Sequence, residues 1–105
     1  MTEAKYQLYL KKRIKKDLPG CMVLKTDPGD IQGIPDLVIF FGCSWGSLEV
    51  KKNATADRQP NQEYYVELMN NMSYSSFIYP ENQEEVLDGL YKALRTAREA
   101  CLSKS

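Results

Sequence analysis

The sequence predicts one α/β domain in which helices lie on both sides of a mixed β-sheet. Its 105 residues suffice for a single modest core. Segments with apolar residues at helical spacing alternate with short runs rich in β-branched and aromatic residues. Their order is α-β-β-β-α-β-α, and a middle sheet covered by helices is the simplest packing for that order.

The first predicted helix covers residues 2–17 and ends before the helix-breaking pair Pro19-Gly20. Residues 21–25 predict a strand, and turn-forming residues then extend over 27–35. One apolar stripe with a spacing of four residues defines the buried face of the helix. It consists of Tyr6, Leu10, Ile14 and Leu18.

The middle of the chain predicts two strands joined by a hairpin turn. The apolar run of residues 37–41 is typical of a central strand that is buried on both faces. Residues 42–46 contain two glycines and predict the turn, and residues 47–51 predict the next strand. The polar segment 52–59 predicts a loop.

The last third of the chain predicts a helix, a strand and a helix. Pro60 suits the first turn of a helix that runs to about Met72. Residues 76–79 predict a short strand, parallel to an earlier one through a right-handed crossover. Asn82 and Glu85 resemble a capping box before the final helix. The expected buried residues are Tyr65, Leu68, Met69 and Met72, then Val86, Leu90, Ala93, Leu94, Ala97 and Cys101.

Composition excludes several functional classes. The chain has no histidine, so catalytic triads and metal sites that need imidazole are excluded. It has no apolar run near 18 residues and no basic-then-apolar leader, which argues against a membrane span and a secretion signal. Three cysteines without CxxC spacing favour a reducing compartment over a disulfide or zinc scaffold.

Charge is distributed unevenly although the net charge is zero. Residues 1–20 carry six basic and two acidic side chains, whereas residues 61–105 carry four and seven. The basic excess in the first helix fits either a solvated face or a phosphate-contacting face, and the sequence leaves both open. The candidates for nucleic-acid contacts are Lys11, Lys12, Arg13, Lys15, Lys16 and Lys52.

Three charged residues could meet at one end of the two middle strands. Asp36 precedes one strand, and Glu49 and Lys51 lie on the same face of the next. If these strands pair, two carboxylates and an ammonium group converge, as in sites that hold a divalent cation and act on a phosphodiester. Taken separately, Asp36 could simply begin a strand, and Glu49 with Lys51 could form a solvent-facing pair.

Two helical residues are further candidates. Glu3 projects along the same line as Tyr6 and the other stripe residues, although a carboxylate in a first turn is also favoured by the helix dipole. Gln62 lies beside Tyr65 and Met69 on the inner face of its helix. Its amide could alternatively satisfy a carbonyl at the end of a strand.

These residues together resemble a known signature. Gly33-Ile34-Pro35-Asp36-Leu37, then Glu49-Val50-Lys51, then Gln59-Pro60-Asn61-Gln62 are similar to the motifs of PD-(D/E)XK nucleases, and most similar to short phage and bacterial VRR-NUC proteins. The resemblance covers nearly the whole chain. It implies a restriction-endonuclease-like αβββαβ core with an added C-terminal helix, forming a single nuclease domain over residues 1–105. Gln59 departs from the serine that is usual at its position.

The resemblance also implies a role for each site residue. Asp36, Glu49 and the Val50 carbonyl are expected to bind Mg²⁺ or Mn²⁺, with Glu3 contributing through water. Lys51 is expected to orient or activate the attacking water and to stabilise charge on the phosphate. Gln62 is expected to support the lysine or the scissile phosphate.

The function that follows is metal-dependent cleavage of DNA, with branched DNA expected because one small domain has little surface for reading sequence. The resemblance implies a homodimer and a cytoplasmic location in a bacterial or phage-infected cell. Cys43, Trp45, Phe40 and Phe41 are candidates for the dimer contact, although both phenylalanines could equally be core residues and Trp45 a packed turn residue. The alternatives are a non-catalytic nucleic-acid-binding module and an interaction domain of a phage assembly.

Overall fold

The structure of the protein is a computed structural model that describes residues 1–103, with side chains described through residue 101. Within that range the order of elements and the α/β fold class agree with the sequence prediction. The elements are α1 (Glu3–Asp17), β1 (Met22–Lys25), β2 (Leu37–Phe41), β3 (Ser44–Val50), α2 (Pro60–Met72), β4 (Tyr74–Ile78) and α3 (Gln83–Ser103).

One mixed sheet organises the described part of the chain, with the strand order β1-β2-β3-β4. The first three strands are successive antiparallel neighbours. β4 follows α2 and pairs parallel to β3, as predicted, with Glu49 beside Phe77. A helix between two parallel strands supplies the long connection that such a pairing requires. The C-terminal end of β3 and the start of α2 therefore lie at the same end of the sheet.

The main core lies on one face of the sheet, between the strands and the helices α1 and α3. The predicted stripe of α1 is buried there, and α3 adds Val86, Leu87, Leu90 and Leu94. Strand residues contribute from alternate positions, such as Ile39 in β2 and Leu48 in β3. Consequently the intervening residues, including Asp36, Glu49 and Lys51, are directed to the opposite face.

That opposite face is covered by α2 over β3 and β4, and it is more open over β1 and β2. Phe41 faces the core, but Phe40 is exposed, as are Met22 and Leu24 on the neighbouring strand. The prediction that residues 37–41 are buried on both faces is therefore wrong. Periodicity could not show that a single helix on this side shields only half of the sheet.

Several local predictions are also corrected. The hairpin turn is tighter than expected, because Gly42 adopts φ +63° and β3 already begins at Ser44. Trp45 is consequently a strand residue and is half-buried. At the end of α2, Met72 is exposed rather than buried. The remaining stripe residues of α2 are only half-buried, because this helix covers a sheet face without a further layer above it.

The start of α3 differs from a capping box. The side chain of Asn82 accepts a hydrogen bond from the Tyr79 N–H at 2.9 Å and donates to the Phe77 carbonyl at 3.2 Å. It therefore fastens α3 to β4 instead of capping the helix. Toward the other end, Ala97 and Cys101 are exposed, because α3 extends beyond the edge of the core.

The prediction that the cysteines form no disulfide is wrong as well. The structure joins Cys43, in the hairpin turn, to Cys101 near the end of α3. The two residues are 58 positions apart in sequence, and only the packing of α3 over the β2–β3 hairpin brings them together. Cys21 remains a thiol, and burial raises its pKa. No helix within residues 1–103 is long and apolar enough to cross a membrane.

Gly33 fixes the long loop against the first turn of α2. It adopts φ +91°, and a Cβ at this position would lie 2.5 Å from the Asn61 Cβ. We expect Gly33→Ala to lower the free energy of unfolding by about 1–3 kcal/mol more than Gly20→Ala, measured by urea denaturation. Gly20 is the matched control because it has the same φ, but a Cβ added there would have no neighbouring atom within 4 Å. Equal losses in the two variants would contradict this packing role.

Candidate active site

Asp36 and Glu49 lie together where β2 begins and β3 ends. The register pairs Leu37 with Leu48, which places the preceding Asp36 across from Glu49. Both side chains lie on the face that α2 covers. Glu49 is only 2% exposed and Lys51 6%, whereas Asp36 is half-buried. The structure therefore brings together the three residues that the sequence singled out.

The proximity of the two carboxyl groups changes the titration of Glu49. Burial, followed by a side-chain hydrogen bond and charge repulsion from Asp36, raises the pKa of Glu49 to about 9. Lys51 opposes that rise through its positive charge. Two carboxyl groups held this closely in a buried position favour either a shared proton or a cation between them.

Backbone atoms of Val50 also belong to this site. Its N–H donates to Asp36 Oδ2 at 2.8 Å. Continuing the register beyond Leu37 and Leu48 places Val50 opposite Pro35, which has no N–H to donate. The ladder from β2 can therefore offer no donor to the Val50 carbonyl at this position. A carbonyl beside two carboxylates completes a set of hard oxygen donors of the kind that Mg²⁺ and Mn²⁺ prefer.

Gln62 connects α2 to Glu49 of β3 and to Lys51, which follows that strand directly. Its Oε1 accepts hydrogen bonds from Lys51 Nζ at 2.7 Å and from the Gln59 N–H at 3.0 Å. Its Nε2 lies 3.5 Å from Glu49 Oε2. The alternative in which Gln62 satisfies a strand-end carbonyl is not what the structure shows. Instead, the first turn of α2 holds the Lys51 ammonium group in a defined position.

Glu3 approaches the site from the first turn of α1. It is half-buried, and its charge is among the causes that raise the pKa of Glu49. Among the described residues, no group of three or more Asp, Glu, Cys or His side chains is arranged to hold a metal ion. Glu3 therefore affects the site through its charge rather than as a third member of one carboxylate group.

The predicted nucleic-acid-binding residues are spread over two regions. Lys52 is exposed directly after Lys51, while the lysines of α1 lie farther along that helix from Glu3. At 1.5 Å per residue, Lys15 lies about 18 Å from Glu3 along the helix axis. Of the predicted DNA-contacting lysines of α1, Lys12, Lys15 and Lys16 are exposed and Lys11 is half-buried.

Arg13 differs from these lysines because it is already paired within the protein. Its guanidinium binds Glu84 through two hydrogen bonds of 2.7 Å and binds Asp17 at 3.1 Å. These bonds raise the pKa of Arg13 and lower the pKa of Glu84 to about 2. Arg13 therefore joins α1 to α3, a role that sequence spacing did not suggest.

A further basic residue near the site is absent from the sequence prediction. The guanidinium of Arg58 lies 3.9 Å from the centre of the Phe77 ring, and Phe77 is the cross-strand partner of Glu49. Arg58 lies in the polar segment 52–59, which predicts only a loop. No motif marks it, and the contact depends on the register between β3 and β4.

Comparison with solved structures identifies close similarities in fold. One structure, named "VRR_NUC domain protein", superimposes with a TM-score of 0.68 and 18% identity over 89% of this chain and 90% of its own. A second, named "VRR_NUC domain", gives a TM-score of 0.63 and 25% identity over 86% and 94%. No protein-family model and no curated protein matches the chain.

Proposed function

Because the chain has the nuclease fold of VRR-NUC domains, and both structural matches support its assignment to that family, we propose that it is a metal-dependent endonuclease acting on branched DNA. The observation that carries this proposal is the pairing of the half-buried Asp36 with the buried Glu49, beside the buried Lys51. A carboxylate pair with an adjacent ammonium group is suited to phosphodiester hydrolysis without histidine.

The oxygen donors of the site fit Mg²⁺ or Mn²⁺. Asp36, Glu49 and the Val50 carbonyl would hold the ion, and the charge of Glu3 would add to the attraction for it. Such an ion, when bound, lowers the pKa of water and neutralises charge on the phosphate. Placing a cation between two buried carboxylates also removes the repulsion that otherwise favours protonation of Glu49.

Lys51 supplies the positive charge that the protein itself contributes. The Lys51 ammonium group can donate three hydrogen bonds. Gln62 accepts one of them, which leaves the other two for the attacking water or a phosphate oxygen. An ammonium group fixed before the substrate arrives stabilises developing negative charge without reorganisation. The hydrogen bond from the Gln59 N–H holds Gln62 in turn.

DNA would extend from this site over the basic surfaces. We assign phosphate contacts to Lys52 and to the exposed lysines of α1, and exclude Arg13 because its guanidinium is bound to Asp17 and Glu84. A small domain with few contacts is expected to recognise the shape of a junction or flap more readily than a base sequence.

A homodimer is part of the same proposal. Of the predicted contact residues, Phe41 belongs to the core, whereas Phe40 is exposed beside Met22 and Leu24. This apolar part of the β1–β2 face would serve as the contact between two copies. Two active sites in one particle would allow cleavage of both strands of a branched substrate.

The proposal is tested by incubating the protein with a four-way junction, a flap, a nicked duplex and a plain duplex, each with Mg²⁺ or Mn²⁺. The parent should cleave a branched substrate, and Asp36→Ala and Lys51→Ala should not. Asp30→Ala is the matched control because it removes an exposed carboxylate from the same loop region. Equal cleavage by all variants would reject the assignment. DNA binding without any metal-dependent cleavage would instead identify a non-catalytic module.

A further inference from the structure

Arg58 occupies an unusual position in the loop between β3 and α2. Lys51 is the first residue of this loop, and its last residue, Gln59, donates its N–H to Gln62, so both ends of the loop adjoin the candidate active site. Arg58 is exposed, yet its guanidinium lies 3.9 Å from the centre of the Phe77 ring. An aromatic face in contact with a cation restricts where that cation can go.

The strand register places this aromatic face beside the catalytic carboxylate. Phe77 of β4 pairs with Glu49 of β3, and partners in neighbouring parallel strands lie on the same face about 4.8 Å apart. Phe77 is only 8% exposed, so its position is fixed by packing. The guanidinium of Arg58 is therefore held on the α2 side of the sheet, over the residue of β4 that pairs with Glu49.

The charge of Arg58 is not neutralised by the surrounding protein. Across the described side chains, residues 1–101, no carboxylate lies within ion-pair distance of its guanidinium. Arg13 shows the contrast, since Asp17 and Glu84 occupy its N–H groups. A guanidinium that rests on an aromatic ring keeps its N–H edge for a planar, two-point contact, for which a phosphate is a well-matched partner.

We propose that Arg58 binds a backbone phosphate of the DNA next to the phosphate that is cleaved, using Phe77 as its support. This inference rests on the nuclease function proposed above. Arg58 is then a positioning residue: it places the DNA strand over the Asp36–Glu49 pair, while Lys51 acts at the reacting phosphate. Its contribution is to binding of the substrate and is present equally before and during the reaction.

The test compares Arg58→Gln, Arg58→Lys and a control, Arg98→Gln. Arg98 makes the same type of contact, 4.5 Å from the centre of the Phe41 ring, at the opposite end of β2 from Asp36. Steady-state cleavage of the preferred branched DNA with Mg²⁺ gives kcat and KM. Arg58→Gln should raise KM about tenfold and change kcat by less than about threefold, Arg58→Lys should be intermediate, and Arg98→Gln should match the parent.

A binding measurement separates this role from a structural one. The Kd for the same DNA is measured against NaCl concentration in the Glu49→Gln background, with and without Arg58→Gln. Loss of one phosphate contact should reduce the slope of log Kd against log salt by about 1, which a purely structural defect would not do. An unchanged KM and Kd, a fall in kcat at constant KM, or an equal effect of Arg98→Gln would overturn the proposal.

The outcomes also separate this inference from the proposed function. If the parent binds DNA but does not cleave it, the nuclease assignment fails, and the salt slope still decides whether Arg58 contacts a phosphate. If the parent cleaves DNA and Arg58→Gln behaves like the parent, only the role of Arg58 fails. A parent that neither binds nor cleaves DNA overturns both.

Discussion

Replacing Glu49 with glutamine should lower metal-dependent DNA cleavage by roughly 10²- to 10⁴-fold, because the loss of one carboxylate removes several kcal/mol of charge stabilisation at a metal ion. Glutamine keeps the size of the side chain and its contact with Gln62, so the fold should be retained. Initial rates with Mg²⁺ and with Mn²⁺, and calorimetric titration of each metal, are the measurements. Retained metal affinity and activity would remove Glu49 from the active site.

The same substitution should not destabilise the protein in metal-free buffer. Burial and the neighbouring Asp36 disfavour the ionised form of Glu49, whereas glutamine carries no charge at any pH. The free energy of unfolding of Glu49→Gln at pH 8, from urea denaturation, should therefore equal or exceed that of the parent. A large loss of stability would mean that the carboxylate is retained for folding rather than for function.

The pH dependence of the folding stability of the parent protein also follows from Glu49. Its pKa rises from 4.5 to about 9 on folding, so between these values the folded state binds more protons than the unfolded state. The contribution of Glu49 to stability is therefore present at low pH and is lost as the pH rises through this window. Mg²⁺ should reverse that loss at pH 8, because it binds the ionised folded form. In Glu49→Gln this contribution to the pH dependence and the stabilisation by Mg²⁺ should both disappear.

Replacing Lys51 with methionine should have an effect on activity of similar size, lowering kcat by roughly 10²- to 10⁴-fold. Methionine keeps much of the length and the apolar stem of lysine but cannot orient water or bind a phosphate oxygen. Because Asp36 and Glu49 remain, metal binding by calorimetry should persist. Single-turnover cleavage at saturating DNA would locate the loss in the chemical step.

Lys52→Met is the matched control for this experiment. Lys52 follows Lys51 directly but is exposed, whereas Lys51 is buried and bound to Gln62. We expect Lys52→Met to weaken DNA binding modestly and to leave kcat nearly unchanged. If both variants lose kcat equally, Lys51 has no special part in the reaction and the effect is one of overall positive charge.

Much of the fold could be predicted from local pattern. The stripe that begins at Tyr6, the strand at residues 37–41 and the Pro60 start of α2 each depend on neighbouring residues in the chain, and the structure contains all three. The convergence of Asp36 with Glu49 was predicted on the condition that β2 and β3 pair, and the observed register meets that condition. The matched solved structures agree with the α/β architecture deduced in this way.

Other features required long-range packing. The exposure of Phe40 depends on how far α2 extends across the sheet, and the Cys43–Cys101 bond depends on where α3 lies over the hairpin. The pairing of Arg13 with Glu84 joins residues 71 positions apart. None of these three features can be predicted from the spacing of residues within a single element.

The amino-acid sequence by itself determined which side chains could meet where β2 begins and β3 ends, because alternation along a strand and a short turn are local properties. Tertiary structure alone decided their chemical state. Packing buries Glu49 against Asp36, brings Gln62 onto Lys51 and sets Arg58 over Phe77. The reason is that burial, pKa and the position of a flexible side chain depend on every element packed around it, and those elements come from distant parts of the chain.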